Sequence, residues 1–388
     1  MYKIQTLNKI SPIGLDLFPR DDYEVASELL NPDAVLVRSF KMLDMEIAQT
    51  VKTIARAGAG VNNIPVDKCS QKGVVVFNTP GANANGVKEL VLAGLLLSSR
   101  GIIQGVAWAQ SLKGKGAEVS KIIEKEKGTF AGPEIKGKKL GIIGLGAIGV
   151  MVANDAEALG MQVSGYDPFI SVEAAWELSR TVKRAISLDG LVAESDYITI
   201  HVPLSDKTKG MINTDKFAVM KKGVRILNFA RGGLVNNADL KTAITEGRVA
   251  AYVTDFPEDE LLGIPQVLPI PHLGASTPES EDNCAVMAVR QLRNFLEAGN
   301  IKNSVNFPDC ELPPTGRKRL IVANRNVPNM VGQITAVLAQ NKVNIADMLN
   351  KSKGDYAYNI IDLDSESGEV DVKKISAIEG VIMARLLG

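Results

Sequence analysis

Residues 138–149, KKLGIIGLGAIG, run from a short apolar stretch through a glycine-rich turn into the helix-like AIGVMVANDAEAL. That order constrains the fold more than anything else in the chain. A strand feeding directly into a helix is the unit of a parallel sheet, and such sheets need helices on both faces. The three glycines have separate duties in the turn: Gly144 permits the tight bend, Gly146 lets a pyrophosphate reach the backbone, and Gly149 lets the helix lie close on the strand. The N–H groups of the first helical turn, Ala147, Ile148 and Gly149, then face the phosphates. The following strand ends in GYDPF, which places Asp167 to accept from both ribose hydroxyls. Its carboxylate repels a 2′-phosphate and no arginine follows in DPFIS, so the pattern selects NAD over NADP.

The same strand-then-helix rhythm continues on both sides. Upstream lie AVLVRSF (34–40), VKTIARAGAG (51–60) and GVVVFNTPG (73–81); downstream lie MQVSGYD, DYITIHVP, GVRILNFARGG, VAAYVTDF and QVLPIPH. These runs are apolar throughout instead of alternating, as strands covered on both faces must be. An apolar-periodic segment over 85–103 reads as one helix leaving the first zone, and 285–299 as another. The prolines and glycine of NSVNFPDCELPPTGR then read as a linker. The tail reads as strand, helix, a hairpin-like pair and a terminal strand, a βαββαβ pattern. The expected class is therefore α/β: two doubly wound parallel-sheet domains, Rossmann-like and flavodoxin-like, plus a small C-terminal α+β module. A substrate-binding domain is expected over 1–84, completed by residues near 273–302; a nucleotide-binding domain over 85–272; a linker over 303–316; and the module over 317–388.

Charge and cysteine content exclude several classes. Lys plus Arg and Asp plus Glu each number 44 in 388 residues, so no global field exists to draw in nucleic acid or an anionic membrane. Cys69, Cys284 and Cys310 are far apart and lack CxxC spacing, which argues against a disulfide framework or a metal site and for a reducing, cytoplasmic setting. The N-terminus lacks a signal peptide's pattern, and the longest apolar block, LVLAGLLL, is far short of the roughly 20 residues that span a bilayer.

Ligands of a parallel sheet bind at the carboxyl ends of its strands, where Asp167, Arg231, Asp255 and His272 all fall. Val202, Pro203, Ala230 and Gly274 follow the same strand ends and read as cofactor-lining. An NAD enzyme needs a group that exchanges a proton with the substrate oxygen, and the chain has two histidines, His201 and His272. His201, ending a middle strand, reads as a residue lining the cofactor cleft. Arg231, followed by two glycines, is free to grip a carboxylate at two points. The acidic turn DFPEDEL offers Glu258, Asp259 and Glu260, and spacing does not choose among them.

The ordered motifs GLGAIG, GYDPF, NFARGGLV, DFPEDE and PHLGAST resemble the D-isomer-specific 2-hydroxy acid dehydrogenases, over nearly all of residues 1–310. The resemblance implies a catalytic set of Arg231, Glu260 and His272, with Glu260 beside His272 favouring its imidazolium form. It implies hydride transfer at C2 of the substrate, with His272 moving the hydroxyl proton. VRSF and RAGAGVNNI point within that family to a phosphorylated 2-hydroxy acid, whose extra charge Arg38, Ser39, Arg56 and backbone near Gly58 would meet. Two other readings remain: reduction of an unphosphorylated 2-oxo acid such as hydroxypyruvate or 2-oxoglutarate, and an NADH-responsive regulatory binding protein. The lysine run at 121–128 reads as an exposed helix. The tail resembles an ACT domain, which implies pairing of two chains, in a dimer or tetramer, and an amino-acid effector, serine, held by Asn326 and Asn344.

Overall fold

The structure, a computed structural model, describes residues 1–364 and 370–388. It divides into two compact units, Met1–Asn83 with Pro278–Gly388, and Ala84–Thr277. The first unit holds a parallel sheet of β1 (Tyr2–Thr6), β2 (Tyr23–Ala26), β3 (Ala34–Val37), β4 (Thr53–Arg56) and β5 (Val75–Phe77) in the order β2-β1-β3-β4-β5. This is the flavodoxin-like order of a doubly wound sheet. Residues of β3 are buried throughout, as the continuous apolar run requires. β1 and β2 carry mixed burial and polar residues, which hid them from a reading based on apolar runs.

A helix over Pro278–Ala298 covers this sheet, with Ala288, Leu292 and Phe295 packed in one core with Ile4, Leu36 and Phe77. It starts seven residues before the expected 285, counting from Pro278. Proline suits a first helical turn, and Glu279 and Glu281 favour its dipole.

The tail forms β13 (Arg319–Arg325), β14 (Ile345–Lys353), β15 (Tyr356–Leu363) and β16 (Val381–Leu387), an antiparallel sheet ordered β14-β15-β13-β16, with helices at Met330–Gln340 and Val372–Ser376. One face of it, Ile321, Ala323, Tyr358 and Ile360, joins the core of Phe77 and Phe295. The segment 303–316, expected as a linker, is packed: Phe307 and Cys310 are buried. Val305 donates its N–H to the Val76 carbonyl at 2.9 Å, and Asn306 accepts from Val76 N–H at 2.9 Å. The segment thus closes the free edge of β5, whose unpaired backbone groups need partners. Arg319, buried with Asp362 at 2.6 Å, also donates to the carbonyls of Ala298, Leu312 and Pro313.

The second unit holds seven parallel strands: β6 (Lys139–Ile143), β7 (Gln162–Tyr166), β8 (Lys183–Arg184), β9 (Tyr197–Ile200), β10 (Val224–Asn228), β11 (Val249–Thr254) and β12 (Val267–Pro269). Their order, β12-β11-β10-β9-β6-β7-β8, is the Rossmann order extended by one strand, and its direction of winding reverses between β6 and β9. The helix expected over 85–103 breaks into Ala84–Ser99 and Ile102–Ser111, bent by 66°. Ser98 and Ser99 turn their hydroxyls onto the Leu95 carbonyl, and backbone at Gly132 crosses so close to Ser99 that a Cβ there would lie 2.0 Å from its carbonyl oxygen. No single helix among the described residues is long and apolar enough to cross a membrane. Residues Val119–Glu126 form an exposed helix, with Lys127 paired to Glu124.

Candidate active site

The glycine turn after β6 separates fold from function residue by residue. Gly144 has φ +93°, and a Cβ on it would sit 2.6 Å from the His201 carbonyl oxygen. A Cβ on Gly149 would sit 2.0 Å from the carbonyl oxygen of Gly144. Gly146 differs: it caps the helix Ala147–Ala158 in an extended conformation, and a Cβ on it would meet nothing within 4 Å. Packing demands the first and third glycines, whereas the second opens on free space beside unpaired helix N–H groups. Asp167 accepts from Leu145 N–H and Phe169 N–H, each at 2.8 Å, one bond per carboxylate oxygen. Each oxygen keeps a lone pair for a ribose hydroxyl. The residues present fit a dinucleotide.

Across the sheet, the candidate residues follow the strand ends in spatial order: His272 after β12, Asp255 after β11, Arg231 after β10, His201 after β9, Gly144 after β6 and Asp167 after β7. Asn228, which sequence reasoning missed, folds the β10 turn. Its buried amide accepts from Ala230 N–H at 3.2 Å and donates to the Arg231 carbonyl at 2.8 Å. Arg231 is exposed; one guanidinium nitrogen donates to the Ala230 carbonyl at 2.7 Å. Val202 lies against Gly144, with Pro203 next in the chain.

Asp255 is 2% exposed, and its Oδ1 has no hydrogen-bond partner. Burial pushes its carboxyl above the usual range, opposed by the charges of His272 and Arg231 and by a hydrogen bond from the Gly274 backbone. Gly274 itself is buried, and a Cβ on it would lie 3.1 Å from Val87. The His272 ring is exposed and rests on Phe256, with centroids 4.5 Å apart.

Glu260 stands elsewhere. Asn237 donates to it at 2.9 Å and Lys241 at 2.5 Å, and the Lys241 contact holds its carboxyl below the usual range. Leu261 is buried, which fixes the turn Asp259–Leu261 and leaves Glu260 over the helix Asn237–Thr245. Glu260 is thus held by Asn237 and Lys241 where a partnership with His272 was expected, and the acid on which the His272 charge bears is the buried Asp255. The sequence signal for this was the position of Asp255 directly after a strand.

His201 is half-buried as a residue, yet its Nδ1 is enclosed without a partner and its Nε2 is 2.9 Å from the Thr199 hydroxyl. Burial pushes its pKa down to about 3, so the ring is neutral at working pH.

In the first unit, the N–H groups of Arg38, Ser39 and Phe40 converge on the Asn8 side-chain oxygen at 3.2, 3.0 and 2.8 Å. Arg38 pairs with Glu281 at 2.7 Å. Arg56 donates to the carbonyls of Arg38 at 2.9 Å and Gly60 at 2.5 Å, and lies against Gly58. Arg56 therefore holds the two loops in register with each other.

Asn326 follows β13 and donates to the Gly354 carbonyl at 3.0 Å, whereas Asn344 precedes β14 and donates to Asp364 at 3.2 Å. Those partners sit at opposite ends of β15, a strand roughly 24 Å long at its per-residue rise. One chain does not bring the two asparagines together. Among the described residues no cluster of acidic, histidine or cysteine side chains has metal-site geometry.

Comparison with known proteins bears on this arrangement. Residues 92–274 match the family model described as D-isomer specific 2-hydroxyacid dehydrogenase, NAD binding domain. This chain carries that family's NAD-binding domain. It is 34% identical over 335 residues to D-3-phosphoglycerate dehydrogenase of Methanocaldococcus jannaschii, covering 84% of this chain and 61% of that protein. It is 37% identical over 299 residues to the enzyme of that name from Archaeoglobus fulgidus, covering 74% of this chain and 54% of the relative. The chain thus spans little more than half the length of these relatives. Among solved structures, it resembles cofactor(NAD+)-bound 3-phosphoglycerate dehydrogenase of Entamoeba histolytica at TM-score 0.60 and 27% identity, covering 79% of this chain and 98% of that one. The apo D-mandelate dehydrogenase of Rhodotorula graminis shares the fold at TM-score 0.67 and 23% identity, covering 81% and 99%.

Proposed function

We propose that this chain oxidises D-3-phosphoglycerate to 3-phosphohydroxypyruvate with NAD, the first step of serine biosynthesis, as a cytoplasmic homo-oligomer. The observation that carries the reading is the row of strand ends running from His272 through Asp255 and Arg231 to the dinucleotide turn. The bound nicotinamide supplies the hydride acceptor. Arg231 grips the substrate carboxylate, and Asn228 sets its backbone. His272 takes the C2 hydroxyl proton, and the buried Asp255 faces the imidazolium that results. Arg38 and Ser39 meet the phosphate, with Arg56 ordering the Arg38 and Gly58 loops.

The C-terminal module is proposed as an ACT-like effector domain. Because Asn326 and Asn344 lie at opposite ends of β15, an amino acid such as serine held by both needs one from each of two chains. That geometry supports pairing of the modules.

The test measures NADH oxidation with 3-phosphohydroxypyruvate, hydroxypyruvate and 2-oxoglutarate. The phosphorylated acid is expected to be preferred, with the preference lost in Arg38→Ala. His272→Ala is expected to lower kcat about 100- to 10,000-fold with NADH binding kept. Equal rates on all three acids would overturn the substrate assignment, and near-normal turnover of His272→Ala would overturn the mechanism.

A further inference from the structure

A proton carrier must present one ring nitrogen in one direction, yet the His272 ring is exposed. The acid expected beside it, Glu260, is engaged by Asn237 and Lys241. Asp255 bears on it through charge, while the hydrogen bonds that act on the Asp255 carboxyl come from backbone at Asp255 and Gly274. Charge alone does not fix a ring, and an exposed imidazole on two rotatable bonds samples several rotamers unless something packs against it. What packs against it is Phe256, with 4.5 Å between ring centroids and 53° between ring planes. That tilt avoids the unfavourable face-to-face sandwich of two aromatic rings.

Phe256 is itself held firmly. It is half-buried, and its N–H donates to the hydroxyl of the buried Thr254 at 3.1 Å. Pro257 follows it, which confines the Phe256 backbone to the extended region. A Cβ on Gly232 would lie 3.7 Å from the Phe256 Cβ, so the side chain starts beside the turn that carries Arg231 and ends on the His272 ring. We propose that Phe256 is a positioning residue for the reaction, whose ring holds the His272 imidazole toward the C2 oxygen by packing. The inference rests on the acid–base role given to His272 above.

The chain has two histidines, so 13C-labelled histidine in the full chain gives two ring Hε1 signals in NMR, and His272→Ala assigns them. Phe256→Leu removes the aromatic ring and keeps an apolar side chain, whereas Phe256→Tyr keeps the ring. In one buffer, Phe256→Leu is expected to move the His272 signal and leave that of His201 in place, and Phe256→Tyr to leave both. NADH oxidation is followed with whichever of the three acids above the wild type turns over fastest. Phe256→Leu is expected to lower kcat about 3- to 10-fold, the loss of one aromatic contact, with KM and NADH affinity kept, and Phe256→Tyr to keep the wild-type kcat. An unmoved His272 signal or a wild-type kcat in Phe256→Leu would overturn the inference. So would a rise in KM in place of the fall in kcat, or an equal loss in Phe256→Tyr. Near-normal turnover of His272→Ala would overturn the acid–base reading and the inference with it, whatever the His272 signal does in Phe256→Leu. If Phe256→Leu does not fold, Phe256→Met takes its place in both measurements.

Discussion

Replacing Gly146 with alanine tests the division of labour in the glycine turn. The backbone there is extended, at φ −75° and ψ −167°, and the added methyl meets nothing within 4 Å. Alanine is a poorer helix N-cap than glycine by up to about 1 kcal/mol, offset by about 0.4–1 kcal/mol from a less flexible unfolded chain. Stability is therefore expected to change by less than about 1 kcal/mol. The methyl does occupy the approach to the helix N–H groups, and losing one charge-assisted bond there is worth about 1.5–3 kcal/mol, or about 10- to 100-fold in affinity. Gly149→Ala is the contrast, because its Cβ would fall 2.0 Å from a backbone oxygen. Relieving that clash moves backbone and is expected to cost about 3 kcal/mol or more. Urea unfolding gives the stabilities and NADH fluorescence titration gives the affinities. Wild-type NADH affinity in Gly146→Ala, or a stability loss matching that of Gly149→Ala, would refute the assignment of the free space to the pyrophosphate.

Two further outcomes follow from the buried charges. The His201 pKa falls from an ordinary 6.5 to about 3 on folding, so between those values the unfolded chain binds the extra proton. Stability from this group is present above pH 6.5 and falls by about 1.4 kcal/mol per unit as the solution is acidified toward pH 3. His201→Asn is expected to flatten that acid limb in pH-resolved urea unfolding; an unchanged slope would contradict the enclosed, neutral ring. Asp362→Asn leaves Arg319 buried without its carboxylate, at side-chain exposures of 5% and 1%, and is expected to cost about 3–5 kcal/mol. Asp189→Asn, which removes the exposed partner of the surface pair Lys216–Asp189, is expected to cost less than about 1 kcal/mol. Equal melting temperatures for the two variants would show that the clamp does not hold the module.

The parallel sheets, the dinucleotide turn and the strand-end positions of Asp167, Arg231, Asp255 and His272 were legible in the amino-acid order alone. Those features are local: continuous apolar runs report strands buried on both faces, and the turn's glycines answer to atoms only a few residues or one strand away. Polar edges escaped for the same reason, since β1, β2 and β8 carry no long apolar run. Which acid the His272 charge bears on follows from contacts between distant parts of the chain. Glu260 and Asp255 are five residues apart, and what separates them is that Lys241 and Asn237 hold Glu260 at the surface while Asp255 is buried. Packing also turned 303–316 from an apparent linker into the cover of an exposed strand edge. It set Asn326 and Asn344 at opposite ends of one strand, because hydrogen-bond partners distant in the chain enter neither periodicity nor composition.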